Sequence, residues 1–100
     1  MNARLPLDPQ TLEVFCKRHR VRRLSLFGSV LKGTAHAGSD VDILVEFEAS
    51  AQPTLIDLAQ MEEELSRLLG KRADIRTPSE LSRYFRDEVL REAEVQYAAG

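Results

Sequence analysis

Two aspartates spaced one residue apart are the part of the chain best suited to chemistry. Asp40 and Asp42 stand at the start of an apolar run that ends at Phe47. In an extended strand, residues two apart point the same way and lie about 6–7 Å apart. Parallel carboxylates repel each other unless a cation lies between them, and magnesium takes carboxylates together with substrate phosphates. The pair therefore predicts a magnesium site, the alternative being two solvent-facing aspartates at a strand start.

A Gly-Ser turn precedes this pair in the sequence. Gly28 and Ser29 follow an apolar run and stand before a segment with helical character. A chain that turns from a strand into a helix presents free backbone N–H groups, which favour an anion such as phosphate. Lys32 could neutralise a phosphate, or it could be an ordinary solvated lysine. Alone, the turn is weak evidence, since a serine-capped strand-to-helix turn is common.

A third carboxylate could complete the site. Asp74 lies in a short β-type segment, residues 72–76, which a predicted helix separates from the aspartate pair. That order allows the two strands to pair side by side, so Asp74 could ligate a second metal or act as general base. Alternatively, Asp74 forms a salt bridge with Arg72 or Arg76 on the sheet face. The sequence leaves both interpretations open.

Composition and charge narrow the function classes. One hundred residues predict a single domain, 1–100. The net charge of −2 lacks the basic footprint of a nucleic-acid binder. We interpret the basic residues between 17 and 23 as a solvated helix end. Cys16 is alone and is predicted to be buried, whereas His19 and His36 lack metal-ligand spacing and are assigned to a helix surface and a loop.

No membrane segment or secretory signal is visible, which predicts a cytoplasmic protein. The pattern of apolar residues predicts the order helix, strand, short helix, strand, helix, strand, helix. The expected segments are 9–20, 21–27, 30–35, 41–47, 55–69, 72–76 and a last helix from Pro78 nearly to Tyr97. This order is typical of an α/β (α+β) fold in which helices flank a small mixed β-sheet.

Taken together, the motifs resemble a known signature. Gly28-Ser29, Gly33, Ser39-Asp40, Asp42 and Val45 follow one another at the spacing of the DNA polymerase β-like nucleotidyltransferase superfamily. The short length is similar to that of its minimal nucleotidyltransferase (MNT) domain proteins. The strand with Asp74, the helix start at Pro78 and residues 84–93 also resemble that group.

The resemblance implies a polymerase β-like nucleotidyltransferase fold and a magnesium-dependent enzyme. Asp40, Asp42 and Asp74 would be the catalytic carboxylates and would hold two magnesium ions. Nucleotide binding would fall to Gly28, Ser29, Lys32 and Ser39. The reaction would transfer AMP from ATP to a hydroxyl and release pyrophosphate.

The resemblance also implies a partner. MNT proteins commonly act as antitoxins of a small helical HEPN ribonuclease toxin and adenylylate a tyrosine on it. No direct nucleic-acid or membrane contact is expected, and the sequence leaves a homo-oligomer open.

One departure and two rival functions bear on this reading. Many relatives carry arginine directly after the Gly-Ser pair, where this chain has Val30. A non-catalytic nucleotide-binding antitoxin that neutralises its partner by docking alone is therefore the alternative. Transfer to a small molecule or an RNA end is disfavoured, because such enzymes usually carry an additional acceptor domain.

Overall fold

A four-stranded mixed sheet organises the protein. The computed structural model describes residues 5–27, 41–81, 83–84 and 86–99. In chain order the elements are α1 (Pro9–Arg18), β1 (Val21–Phe27), β2 (Val41–Phe47), α2 (Leu55–Leu69), β3 (Ala73–Arg76), a 3₁₀ turn (Pro78–Glu80), α3 (Arg86–Glu92) and β4 (Glu94–Ala98). The strands lie in the sheet in the order β3-β2-β1-β4; β1 is antiparallel to both neighbours, and β2 and β3 are parallel. The predicted α/β (α+β) class is thus confirmed.

The helix α1 begins where the sequence predicts and ends slightly earlier. Pro9 occupies its first turn, and the helix stops at Arg18 rather than near Arg20, which adopts a positive φ of 59°. Cys16 is fully buried, as expected. His19 does not lie on an open helix surface: its ring packs against Phe15 with centroids 4.7 Å apart, and its side chain is 22% exposed. The predicted position of His19 on the helix surface was therefore wrong, because the imidazole packs against Phe15.

The helix α2 carries the clearest local signals in the chain, and the structure confirms them. The Thr54 hydroxyl accepts a hydrogen bond from the Asp57 amide at 3.1 Å. The Asp57 carboxylate accepts one from the Thr54 amide at 2.8 Å, which completes a capping box. Gly70 ends the helix with a φ of 72°, a left-handed conformation that favours glycine.

Both helices pack on one face of the sheet. Alternate residues of β2, including Ile43 and Val45, point toward this face and are fully buried. Met61 and Leu65 of α2 cover them, as the four-residue spacing of apolar positions predicts. The other members of this core are residues of α1, β1 and β3 with Leu5, Val41 and Leu69.

The opposite face of the sheet is partly covered as well. Leu44 and Leu81 are buried although neither belongs to the main core. The 3₁₀ turn contacts β2, and the chain then continues to β4 at the far edge of the sheet. Residues 77–93 therefore connect β3 and β4, the two edge strands of the sheet, and the 3₁₀ turn in this connection contacts the strand that carries Asp42.

The prediction of one long C-terminal helix from Pro78 nearly to Tyr97 was wrong. The helix start yields a single 3₁₀ turn, α3 spans only Arg86–Glu92, and β4 follows it. Leu81 already has extended dihedral angles, φ −79° and ψ 142°. The physical reason is tertiary: β1 has a free edge on the side away from β2, and pairing with β4 satisfies its backbone groups.

The predicted short helix at residues 30–35 lies outside the described residues. Within the described part of the chain, no helix is both long and apolar enough to cross a membrane. The cytoplasmic location and the single domain 1–100 stay predictions.

Candidate active site

Two of the predicted catalytic carboxylates lie next to each other. Asp42 of β2 and Asp74 of β3 are register partners in adjacent parallel strands. Register partners in a sheet point to the same face, and neighbouring strands run about 4.8 Å apart. Both side chains are half-buried and lie on the face that does not carry α1 and α2. The prediction that the strand with Asp74 pairs beside β2 is therefore confirmed.

The parallel pairing depends on the crossover helix α2. In addition to apolar contacts, α2 supplies two side-chain acceptors to the outer edge of β3. Ser66 Oγ accepts a hydrogen bond from the Ala73 amide at 2.8 Å, and Glu62 Oε2 accepts one from the Ile75 amide at 2.7 Å. These amides would otherwise lack a strand partner. The strand that carries Asp74 is thus held from both sides, by β2 and by α2.

Sequence reasoning missed Glu62 and Ser66. A signal for them exists: they stand four residues apart, each next to one of the buried residues Met61 and Leu65, so they flank the buried stripe of α2. A polar residue in that position can reach the edge of a neighbouring strand. Only the unknown strand order kept the sequence from assigning this role.

The end of β1 borders the site. Phe27, its last residue, is the register partner of Asp42 on the side away from Asp74. Asp42 therefore lies between Phe27 and Asp74 across three strands. At the start of β2 and β3, the Val41 amide donates a hydrogen bond to the Arg72 carbonyl at 2.8 Å, so the two strands begin at the same level of the sheet.

Several predicted site residues lie outside the described part of the chain. They are Gly28, Ser29, Lys32, Ser39 and Asp40. The predicted nucleotide contacts and the first aspartate of the pair therefore stay predictions. In the sequence, Gly28 directly follows Phe27 and Asp40 directly precedes Val41. The two described residues that flank this segment, Phe27 and Val41, both lie at the end of the sheet where Asp42 lies.

The structure confirms one of the two interpretations of Asp74, and the catalytic interpretation stays a prediction. Arg76 Nη2 lies 3.3 Å from Asp74 Oδ2, so the predicted salt bridge exists. The same carboxylate is also the register neighbour of Asp42. Arg76 itself lies between two acids, since its Nη1 is 3.8 Å from Glu80 Oε2.

The two aspartates suit a divalent cation. Adjacent carboxylates on one sheet face repel each other, and a hard cation with oxygen preference relieves that repulsion. Among the described residues, no group of three or more His, Cys, Asp and Glu side chains forms a metal cluster. Asp42 and Asp74 thus offer two oxygen ligands of the kind that Mg²⁺ takes when a substrate supplies the others.

A basic cavity elsewhere in the structure does not compete with this site. It has a volume of about 230 Å³ and lies where the C-terminus of α1 meets the N-terminus of α2. Its cations already have partners: Arg18 pairs with Glu64, and Arg20 lies 3.7 Å from Glu48. An anion would have to displace these carboxylates, so the aspartate pair is the stronger candidate site.

Comparison with known proteins identifies the family. Residues 9–96 match the nucleotidyltransferase domain family. The protein adenylyltransferase MntA of Thermococcus cleftensis is 43% identical over 76 residues, which is 76% of this chain and 75% of the relative. A protein of Methanocaldococcus jannaschii assigned as a protein adenylyltransferase is 38% identical over 76 residues, 76% of this chain and 80% of the relative.

Solved structures share the fold. A structure assigned as a minimal nucleotidyltransferase is 40% identical, has a TM-score of 0.67, and is covered over 95% of its length by 88% of this chain. A toxin–antitoxin structure with AMP-PNP gives a TM-score of 0.74 at 20% identity, covering 93% of this chain and 75% of that chain. The chain belongs to the nucleotidyltransferase domain family. Within it, the resemblance to the minimal nucleotidyltransferases is confirmed.

Proposed function

We propose that this protein transfers AMP from ATP to a hydroxyl of a protein partner, in the presence of magnesium. The observation that carries the proposal is the register pairing of Asp42 with Asp74 on one sheet face. Membership of the nucleotidyltransferase domain family supports the reaction type. The relatives named protein adenylyltransferase support a protein acceptor rather than a nucleic acid or a small molecule.

The chemical step requires a base and a positioned phosphate. The acceptor oxygen attacks the α-phosphorus, the bond from that phosphorus to the β-phosphate oxygen breaks, and pyrophosphate leaves. Asp74 accepts or orients the proton of the attacking hydroxyl. Asp40, Asp42 and Asp74 would hold two magnesium ions. When bound, these ions would neutralise phosphate charge. Gly28, Ser29, Lys32 and Ser39 would contact the nucleotide. Most of the rate enhancement would come from positioning and electrostatics.

The partner we propose is a HEPN ribonuclease toxin, with a tyrosine as the acceptor and the protein acting as its antitoxin. Two findings support a partner of this kind. Toxin–antitoxin structures named MntA–HepT share the fold of this chain, and a relative at 43% identity is named protein adenylyltransferase MntA. Neutralisation by docking alone is the competing outcome in the test.

The test uses purified protein, ATP, magnesium and the HEPN protein encoded nearest to this gene. We expect the partner to gain the mass of one or more AMP groups, located on a tyrosine by peptide mass spectrometry. Asp42→Asn should reduce the rate by on the order of a hundredfold or more, because it removes a charged ligand. Asp8→Asn is the matched control, since Asp8 is exposed at the start of α1 and forms no side-chain capping bond.

The possible results separate the two functions. Loss of transfer in Asp42→Asn with normal transfer in Asp8→Asn supports the enzyme. Inhibition of the partner at one-to-one stoichiometry without any mass gain would replace it with the docking antitoxin. Full activity of Asp42→Asn would overturn the assignment of the carboxylate pair.

A further inference from the structure

Arg76 does not belong to the predicted sequence motif, but its contact with Asp74 places it beside the candidate site. Arg76 stands two residues after Asp74 in β3, so both side chains point to the same face of the sheet. That face is also the face of Asp42, the register partner of Asp74. The guanidinium group of Arg76 therefore lies on the same strand as Asp74 and on the same sheet face as both carboxylates.

The contact to Asp74 is specific to one oxygen. Arg76 Nη2 lies 3.3 Å from Asp74 Oδ2, a charge-assisted hydrogen bond to this one oxygen. A carboxylate that is held through one oxygen keeps the other available for a metal ion or a proton. The contact also restricts rotation of the Asp74 side chain, which is only 30% exposed.

Arg76 is itself held by a second carboxylate. Its Nη1 lies 3.8 Å from Glu80 Oε2, and the Thr77 hydroxyl donates a hydrogen bond to Glu80 Oε1 at 3.2 Å. Glu80 belongs to the 3₁₀ turn that contacts β2. The chain of contacts Thr77–Glu80–Arg76–Asp74 thus links the turn after β3 to the catalytic carboxylate.

We infer that Arg76 is a positioning residue, which holds the Asp74 carboxylate in one orientation beside Asp42 for nucleotide transfer. The inference rests on the proposed function. An exposed arginine–carboxylate pair usually contributes little to stability, and Arg76 is 50% exposed. Its value at this position is geometric, because a small misplacement of a reacting group is costly to the rate.

The guanidinium also has an electrostatic consequence. When no metal is bound, its positive charge reduces the repulsion between the two aspartates. When a metal binds, the same charge repels it. Removal of Arg76 should therefore tighten metal binding while it slows the reaction. Disruption of the strand would instead weaken both, so the two readouts distinguish positioning from a purely structural role.

The experiment compares Arg76→Ala and Arg76→Lys with Arg67→Ala. Arg67 forms a pair with Glu63 at 3.7 Å on α2, away from the site, and both side chains are 75% exposed. It is a matched control for the loss of an exposed arginine–carboxylate pair. Transfer of AMP to the partner gives kcat and the KM for ATP, and binding of Mn²⁺ alone is measured by calorimetry or paramagnetic resonance.

For Arg76→Ala we expect a kcat lower by on the order of tenfold, with the KM for ATP changed by less than about twofold. Arg76→Lys should recover part of kcat, since a lysine keeps the charge but not the planar fork. The dissociation constant for Mn²⁺ should fall about threefold to tenfold in Arg76→Ala, as the repulsion disappears. Arg67→Ala should match the wild type in all three quantities.

Two results would overturn the inference: Mn²⁺ binding in Arg76→Ala that is equal to or weaker than in the wild type, or a kcat unchanged from the wild type. The Mn²⁺ comparison needs no acceptor and no ATP, so it decides the role of Arg76 at the aspartates even if the wild type transfers no AMP. A wild-type protein that transfers no AMP would count against the proposed function alone.

Discussion

At the scale of single residues, the buried thiol gives a direct test of the core. Cys16 is fully buried, and burial raises its pKa to about 12. Since the thiolate is the reactive form, the native protein should not react with Ellman's reagent at pH 8. Denaturant should expose one thiol per chain, which absorbance at the released chromophore measures. Rapid labelling of the native protein would show that α1 does not pack as described.

The second residue-scale prediction concerns pH. Burial and the charge of Arg18 lower the pKa of His19, while the charge of Asp57 partly opposes the shift. Although Glu64 lies 3.2 Å from the ring, its charge is already engaged by Arg18. Below about pH 6.5 the unfolded chain then binds a proton more readily than the folded chain, so stability falls as the pH falls.

We expect the melting temperature to decrease between pH 7.5 and 5.5, and to decrease less in His19→Gln. Calorimetry or circular dichroism at several pH values measures both slopes. Equal slopes in the two proteins would show that His19 does not contribute to the acid dependence.

At the scale of elements, the end of α2 is governed by one glycine. Gly70 has a φ of 72°, and a Cβ added there would meet no atom within 4 Å. The cost of Gly70→Ala is therefore conformational rather than steric, about 1–2 kcal/mol. Gly70→Asn should cost less, because asparagine tolerates the left-handed region. Urea unfolding measures both, and equal costs for the two variants would contradict this reason.

The elements also show how far the sequence could predict the structure. The strands Val21–Phe27 and Val41–Phe47 and the capping box of α2 are local features, and the sequence predicts them correctly. The prediction of the last helix was wrong because the Thr77-Pro78 signal marks where a helix begins but not how long it is. Val95 and Tyr97 fit a strand as well as a helix, and pairing with β1 decided between them.

The same distinction applies to the site. The sequence names Asp42 and Asp74 as candidate site residues and allows their strands to pair, since one predicted helix lies between the two strands. It also offers Arg76 as a partner of Asp74, but as an alternative to the catalytic role. The ion pair with Arg76 and the register pairing with Asp42 occur together, because the alternation of β3 places Asp74 and Arg76 on the same face and only the fold determines that β2 lies beside them.

At the scale of the whole molecule, β4 closes the sheet at the edge away from the site. Its loss would expose the edge of β1, and Leu24 would lose the neighbouring Tyr97. A chain truncated after Ala93 should therefore unfold or aggregate, which circular dichroism and size-exclusion chromatography measure. A chain truncated after Ala99 is the control and should behave as the full chain. A folded monomer truncated after Ala93 would show that three strands suffice.

The two edges of the sheet differ in a way that offers a spectroscopic handle. The amides of Ala73 and Ile75 at the outer edge of β3 bond to Ser66 and Glu62 of α2 rather than to a strand. Their exchange with deuterium therefore requires α2 to separate from β3, the strand that carries Asp74. Two backbone signals in a nuclear magnetic resonance spectrum would thus report the integrity of the edge that carries Asp74 without any substrate, metal or partner.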